Sequence, residues 1–126
     1  ESAQWIAQAA ARHGFDHAVC TKVRHGDRDV TIELPPLHAQ GRAVVLLDDM
    51  ASTGRTLAQA ARLLRAAGAA SVDVAVTHAL FAGDALQALH DAGVGEVWST
   101  DCIPHASNAV PMAEPLAQAL RSLLPA

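Results

Sequence analysis

The sequence predicts a mixed α/β domain, in which helices cover both faces of a mostly parallel sheet to give a three-layer α/β/α arrangement. Short apolar runs alternate with segments whose apolar residues recur at helical spacing, as in chains of alternating strands and helices. Several of these runs have no polar face, which is typical of parallel strands buried on both sides. A length of 126 residues suits one such core.

The first third of the chain predicts a helix, a hairpin and a loop. Residues 2–13 have apolar side chains at helical spacing, and Gly14 ends that helix. Residues 17–23 and 28–34 flank a polar turn, so we expect a hairpin whose return strand lies antiparallel at one edge of the sheet. Pro and Gly residues mark 35–41 as a loop.

The rest of the chain predicts regular alternation of strands and helices. We expect Trp98 to be buried, and Leu116, Leu120 and Leu123 to face the core from a closing helix. The predicted strands are 43–48, 71–77 and 94–100, the predicted helices are 56–67, 83–91 and 113–124, and a polar loop covers 104–111.

Composition and charge exclude some partners. A net charge of −4 and a pI near 5.9 give no support for a nucleic acid or a membrane surface as partner. No apolar segment approaches the roughly 20 residues that a membrane-spanning helix needs. Cys20 and Cys102 are interpreted as small buried thiols in a reduced, cytoplasmic protein.

The turn after strand 43–48 is the stretch richest in chemistry. Asp48 and Asp49 are followed by small residues and then by a helix, whose first amides lack partners within the helix and favour an anion. Two carboxylates beside such an anion site suit ribose hydroxyls or a bound Mg²⁺. The pattern therefore indicates a sugar-phosphate pocket. Its candidate residues after the acidic pair are Ser52, Thr53, Gly54, Arg55 and Thr56.

Other candidate residues have two interpretations each. Lys22 and Arg24 share one face of a strand, so they either aim at one anion or are solvated charges on a hairpin. His78 follows a strand at the sheet edge where ligands collect, either as a catalyst or as a structural hydrogen-bonding group. Asp101 lies beside a ribose or a metal-bound water, or else caps a turn.

The motifs together carry a resemblance to a known family. The acidic pair and residues 52–56 resemble the ribose-phosphate loop of the phosphoribosyltransferase-like fold. With three further stretches, the chain is similar to the C-terminal half of ribose-phosphate diphosphokinase over nearly its whole length. Arg55 stands where that family usually has glycine. The further stretches are Lys22-Val23-Arg24, Thr77-His78-Ala79-Leu80-Phe81-Ala82-Gly83 and Thr100-Asp101-Cys102-Ile103-Pro104.

The resemblance implies an activity in nucleotide biosynthesis. The enzyme would transfer a diphosphoryl group from ATP to O1 of ribose 5-phosphate, giving phosphoribosyl diphosphate. Residues 52–56 would bind the 5-phosphate, Asp48 and Asp49 would hold the ribose hydroxyls and a Mg²⁺, and Lys22 and Arg24 would be catalytic. The family's assembly from dimers implies a homo-oligomer.

The resemblance also bears on domain organisation. In the family a central strand and a diphosphate-binding loop that begins with Pro-Asp precede the first helix, and here Glu1-Ser2 match at most the end of that loop. We therefore expect residues 1–126 to form one domain of a longer two-domain enzyme, inactive alone. We expect the sheet to be split between strands 17–22 and 43–48, unless those strands pair directly or another chain fills the gap.

Two alternatives share the phosphate loop. A phosphoribosyltransferase would consume phosphoribosyl diphosphate and a base, and it would need neither Lys22 and Arg24 nor the Thr77-His78 stretch. A regulatory homologue would keep the fold and bind ribose phosphates without turnover. Two cations kept on one hairpin argue against the regulatory alternative, since a purely structural hairpin has no need of them.

Overall fold

The structure is a computed structural model that describes residues 2–27 and 29–124. Those residues contain four helices and six strands. Glu1, assigned above to a loop remnant, and Arg28, assigned to the hairpin, lie outside the described residues. The elements in chain order are α1 Ser2–Ala11, β1 Thr21–Arg24, β2 Val30–Glu33, β3 Ala43–Ala51, α2 Arg55–Ala66, β4 Ser71–Ala79, α3 Ala85–Asp91, β5 Val94–Thr100, β6 Asn108–Val110 and α4 Ala113–Leu123.

The strands form two sheets. Strands β3, β4, β5 and β6 make a parallel sheet in that order, with α2 between β3 and β4 and α3 between β4 and β5, while β1 and β2 form an antiparallel pair of their own. The predicted mixed α/β class with a mostly parallel sheet is confirmed, and so is the hairpin. Its register places Lys22 opposite Ile32 and Arg24 opposite Val30.

The two sheets are separated where the sequence led us to expect a gap. Strand β1 does not pair with β3, and no strand of the described residues covers the outer edge of β3. Val45 and Leu47 on β3 are 48% and 37% exposed. The prediction that this apolar run is buried on both sides is therefore wrong: Val45 and Leu47 share one face of β3, and no described helix covers that face.

The core lies between the parallel sheet and helices α2 and α3. Strand β4 alternates buried and half-buried residues, so one face of the sheet carries most of the buried side chains. Leu89 of α3 is fully buried there. The core comprises Leu57, Ala58, Ala61 and Leu64 of α2, Leu89 of α3, and Val72, Val74, Val76 and Val94 of the sheet.

The strands on either side of α2 are longer at their carboxyl ends than the sequence predicts. Strand β3 continues through Asp48 and Asp49 to Ala51, and β4 continues through His78 to Ala79. The reason is pairing, since Met50 is in register with His78 and Ala51 with Ala79. Ladder hydrogen bonds with a neighbouring strand extend a strand beyond its apolar run.

Several predictions for the C-terminal region are wrong. The loop predicted over 104–111 contains β6, a short strand that pairs with β5. No residue of α4 is buried, and Leu116, Leu120 and Leu123 are 53%, 55% and 77% exposed, because no described element covers their face. Cys102 is exposed, since it falls in the turn after β5.

Cys20 and Trp98 are both half-buried, so each is less enclosed than the sequence predicts. Partial burial raises the pKa of the Cys20 thiol. Among the described residues no helix is long and apolar enough to cross a membrane.

Candidate functional site

Two neighbouring carboxylates lie at the carboxyl end of β3. Asp48 is half-buried and Asp49 is exposed, so neither side chain points into the core. The backbone N–H of Asp49 donates to Asp48 Oδ1 at 2.9 Å, and the two side chains also lie within hydrogen-bonding reach of each other. The sequence prediction of an acidic pair at the rim of the sheet agrees with this arrangement.

The pKa of Asp48 is raised above its ordinary value of 3.8. Partial burial is the largest cause, followed by the side-chain hydrogen bond with Asp49, whose negative charge adds a smaller rise. The Asp49 backbone N–H and the positive charge of Lys22 act in the opposite direction.

This acidic pair has the oxygen donors that a hard cation prefers. A bound Mg²⁺ usually takes one or two protein carboxylates and completes its shell with water and substrate phosphates. Within residues 2–27 and 29–124, no cluster of three or more His, Cys, Asp and Glu side chains forms a metal cage. Asp48 and Asp49 thus fit a magnesium ion shared with a substrate, since a cation would also offset the cost of two close carboxylates.

The segment between β3 and α2 has the geometry of an anion-binding turn. Ser52 and Thr53 are exposed, and Gly54 is buried with φ of +75° in the left-handed region, where glycine is favoured. Helix α2 begins at Arg55, and its cap residue, Gly54, has no side chain to satisfy the first amides. Residues 52–56 therefore leave the strand, as the sequence predicts, and present backbone N–H groups, of which that of Arg55 donates to Thr53 Oγ1 at 3.4 Å.

The segment after β4 supports this turn from behind. The N–H of Ala82 donates to the Ser52 carbonyl at 2.8 Å. A Cβ placed on Gly54 would lie 3.4 Å from the Ala85 carbonyl oxygen and 3.6 Å from a side-chain carbon of Leu89. The turn therefore packs directly on the start of α3, and its backbone is held at Ser52 and at Gly54.

The stretches singled out in the sequence are joined by contacts at one edge of the sheet. Thr100 Oγ1 donates to the Thr77 carbonyl at 2.6 Å, which ties the end of β5 to the end of β4. The rings of Phe81 and His105 lie 5.0 Å apart. Sequence reasoning found these stretches but not their contacts, because spacing along a chain does not show which backbone groups meet.

The two candidate cations lie on β1. Lys22 and Arg24 are exposed and two residues apart, so they share one face of the strand. The ion pair of the described residues joins Arg42 to Asp16 at 2.8 Å, and among those residues no carboxylate lies at contact distance from Lys22 or Arg24. Both charges are therefore available to an anion.

A cleft of about 440 Å³ opens between the hairpin and the start of α2. It shares Arg55 with the predicted site, but the acidic pair and the Ser52–Gly54 turn lie outside its lining. Its lining residues are His25, Asp29, Val30, Thr31, Arg55 and Gln59.

Asp101 and His78 also lie at the carboxyl edge of the sheet. Asp101 Oδ1 accepts a hydrogen bond at 2.9 Å from the N–H of Met112, the residue before α4, so Asp101 has the turn-capping role. His78 is half-buried and in register with Met50, one residue beyond the acidic pair.

Sequence reasoning missed Gln59. Its side-chain amide accepts a hydrogen bond from the N–H of Ile32 at 3.1 Å and donates one to the Val30 carbonyl at 2.9 Å. A glutamine on a helix is ordinarily a surface residue, so no sequence signal marks this contact with the hairpin.

The fold and these residues define a class: a mixed α/β domain with an acidic pair and an amide-lined turn at the carboxyl edge of a parallel sheet. Comparison with known proteins gives the family. The family described as the phosphoribosyl synthetase-associated domain matches residues 19–114, and the chain belongs to that family. The resemblance drawn from the sequence motifs is thereby confirmed.

The names of curated relatives agree with this family assignment. A ribose-phosphate pyrophosphokinase of Methanosarcina acetivorans is 39% identical over 124 residues, which are 98% of this chain and 44% of that protein. Ribose-phosphate pyrophosphokinase 1 of Archaeoglobus fulgidus is 37% identical over 120 residues, 95% of this chain and 42% of the relative. The chain therefore spans less than half of the length of these curated relatives.

A solved structure is similar as well. The phosphoribosylpyrophosphate synthetase from Mycobacterium smegmatis superposes with a TM-score of 0.70 at 28% identity, covering 95% of this chain and 41% of that one. The comparison supports the mixed α/β fold at the level of the backbone.

Proposed function

We propose that this chain is the ribose-phosphate-binding domain of a ribose-phosphate diphosphokinase. The reaction transfers the diphosphoryl group of ATP to O1 of ribose 5-phosphate: a bond forms between O1 and the β-phosphorus, and AMP leaves. The observation that carries the proposal is the position of the acidic pair at the carboxyl end of β3, directly before the Ser52–Gly54 turn and the start of α2. The names of the relatives favour this reaction over the two alternatives.

Each group in the site has a separate task in this proposal. The amides of residues 52–56, with the hydroxyls of Ser52, Thr53 and Thr56, bind the 5-phosphate at the start of α2. Asp48 and Asp49 accept hydrogen bonds from the ribose hydroxyls and so orient O1. Arg55 adds a positive charge at the edge of the phosphate site.

Lys22 and Arg24 act on the group that is transferred. Phosphoryl transfer depends mainly on placement and on stabilising charge in the transition state, so it needs no protein nucleophile. Because the two cations share one face of β1 and are free of contact ion pairs with described residues, they can close over the diphosphoryl group. The acidic pair would hold Mg²⁺, which neutralises phosphate charge when bound.

The proposed setting is cytoplasmic and the proposed assembly a homo-oligomer, with ATP and ribose 5-phosphate as the small-molecule substrates. The net charge of −4 means that anionic substrates are bound by local groups and not by an overall positive field.

The test uses the complete gene product that contains this sequence. It should form AMP and phosphoribosyl diphosphate from ATP and ribose 5-phosphate. Consumption of phosphoribosyl diphosphate with a base would instead identify a phosphoribosyltransferase. Ribose-phosphate binding without turnover would identify a regulatory homologue.

Replacement of the hairpin cations tests their catalytic role. Lys22→Met and Arg24→Met should each lower kcat by about 10²–10³-fold, by analogy with loss of one transition-state donor. Arg121→Met, an exposed substitution on α4, is the matched control and should leave kcat unchanged. Normal kcat in both hairpin variants would contradict the proposed role.

A further inference from the structure

The outer edge of β2 is satisfied by a side chain in place of a strand. Val30 and Ile32 have backbone groups that point away from β1, and the Gln59 amide both accepts from Ile32 N–H, at 3.1 Å, and donates to Val30 C=O, at 2.9 Å. These are the two kinds of bond that a neighbouring strand would make. The contact therefore closes the free edge of the hairpin onto α2.

This contact connects the two halves of the candidate site. Gln59 lies on α2 four residues after Arg55, one helical turn from the phosphate-binding turn. Ile32, in register with Lys22, is 5% exposed, so the hairpin is anchored through a buried residue directly opposite the cation. The place of Lys22 relative to residues 52–56 thus depends on how β2 is held to α2.

The chemistry of the contact favours glutamine. One side chain must both accept from an N–H and donate to a carbonyl, which a carboxamide can do and which lysine, methionine or an ionised glutamate cannot. Asparagine has the same groups on a side chain that is shorter by one methylene.

We propose that Gln59 is a positioning residue, which holds the Lys22–Arg24 strand in its working place beside the phosphate-binding turn. The part that concerns catalysis rests on the proposed function. Gln59 itself touches no reacting atom, and it acts through the hairpin backbone.

The first test measures how firmly the Gln59 contact holds the hairpin. Gln59→Met keeps the length of the side chain and removes both hydrogen bonds. In the complete protein, hydrogen–deuterium exchange followed by mass spectrometry should show about tenfold faster exchange in peptides covering residues 29–34, with peptides of β4 unchanged. Gln118→Met, the same change at an exposed position of α4, is the control and should leave the hairpin peptides unchanged. Unchanged exchange in Gln59→Met would overturn the proposal.

The second test measures the effect of the Gln59 contact on kcat and KM. Because Lys22 and Arg24 act in the transition state and the phosphate-binding turn is untouched, Gln59→Met should lower kcat about tenfold with KM for ribose 5-phosphate within about twofold of wild type. Gln59→Glu keeps the acceptor and loses the donor, so its kcat should fall between those of wild type and Gln59→Met. A raised KM with normal kcat, or normal kcat despite faster hairpin exchange, would overturn the positioning role.

The two tests separate this proposal from the proposed function. A wild-type protein that fails to make phosphoribosyl diphosphate would refute the assigned reaction, while the exchange measurement would still report whether Gln59 holds the hairpin.

Discussion

Asp48, a proposed binding residue, has an electrostatic cost in the folded chain. Its carboxylate is partly removed from water and lies beside Asp49, and both effects raise its pKa. Lys22 offsets part of this cost, and a bound cation or a pair of ribose hydroxyls would offset more. Functional sites often keep such perturbed groups because the same burial strengthens their interaction with a ligand.

The Asp48→Asn variant should therefore be more stable and bind less well. Because the pKa of Asp48 is raised in the folded state, its contribution to stability is full below the ordinary pKa of 3.8 and is lost as the pH rises through the folded pKa. The gain in unfolding free energy from Asp48→Asn should thus be larger at pH 7 than at pH 3, as denaturant titrations at both values would show.

Binding should change in the opposite direction. Asp48→Asn should weaken ribose 5-phosphate binding about 10–100-fold at pH 7 by calorimetry, as expected for one hydrogen bond to a charged group. Glu96→Gln, at an exposed position of β5, is the control for loss of one negative charge. A variant that is less stable than wild type at pH 7 would contradict this account of the Asp48 pKa.

Gly54 allows a second comparison of single residues. It has φ of +75° and Gly41 has φ of +72°, so alanine at either position should cost about 1–2 kcal/mol of stability from backbone strain. Gly41 has no neighbour within 4 Å of an added Cβ, whereas Gly54 faces α3 at 3.4 Å. Gly54→Ala should therefore also weaken ribose 5-phosphate binding, and Gly41→Ala should not, by denaturant titration and calorimetry. Equal binding by both variants would show that the turn does not hold the phosphate.

At the scale of elements, helix α3 is the support for the proposed phosphate-binding turn. It is the shortest of the four helices in the described residues, and Ala85 and Leu89 on it are fully buried against the turn and the core. The hydrogen bond from Ala82 to Ser52 adds a second hold just before the helix. Packing of this kind fixes a binding loop without any side chain that contacts the ligand.

Truncation of Leu89 tests this support. Leu89→Ala should cost about 2–5 kcal/mol, as for other buried leucines, and should weaken ribose 5-phosphate binding because Gly54 loses its packing partner. Leu86→Ala on the same helix is the control, since that side chain is 41% exposed and its loss should cost about 1 kcal/mol or less. Thermal unfolding and calorimetry measure both effects. Unchanged ribose 5-phosphate binding in a destabilised Leu89→Ala variant would show that the packing of α3 does not support the binding turn.

The elements also show what sequence patterns can and cannot reveal. The hairpin, the acidic pair and the turn before α2 follow from local periodicity and from glycine, so they could be predicted. Strand β6 could not, because it has only three residues and is defined by its pairing with β5, which the pattern of residue types does not reveal. The exposed face of α4 and the Gln59 contact depend on what packs against a surface, which the spacing of residues does not contain.

At the scale of the whole molecule, the candidate site joins two sheets that share no strand pairing. Residues of β1 supply the cations, while β3 and the start of α2 supply the acidic pair and the amides. The interactions that bring these parts together are the packing of Ile32 and the hydrogen bonds of the Gln59 amide with β2.

The last prediction concerns the 126-residue chain by itself. It should bind ribose 5-phosphate weakly through Asp48, Asp49 and the amides of 52–56. It should not turn over ATP, because it spans less than half of the length of its curated relatives. Nuclear magnetic resonance titration should show amide shifts confined to residues 48–56 and the hairpin, and their size should fall with added salt. A coupled assay for AMP formation should detect no product. Measurable turnover by this chain would show that its residues also bind ATP.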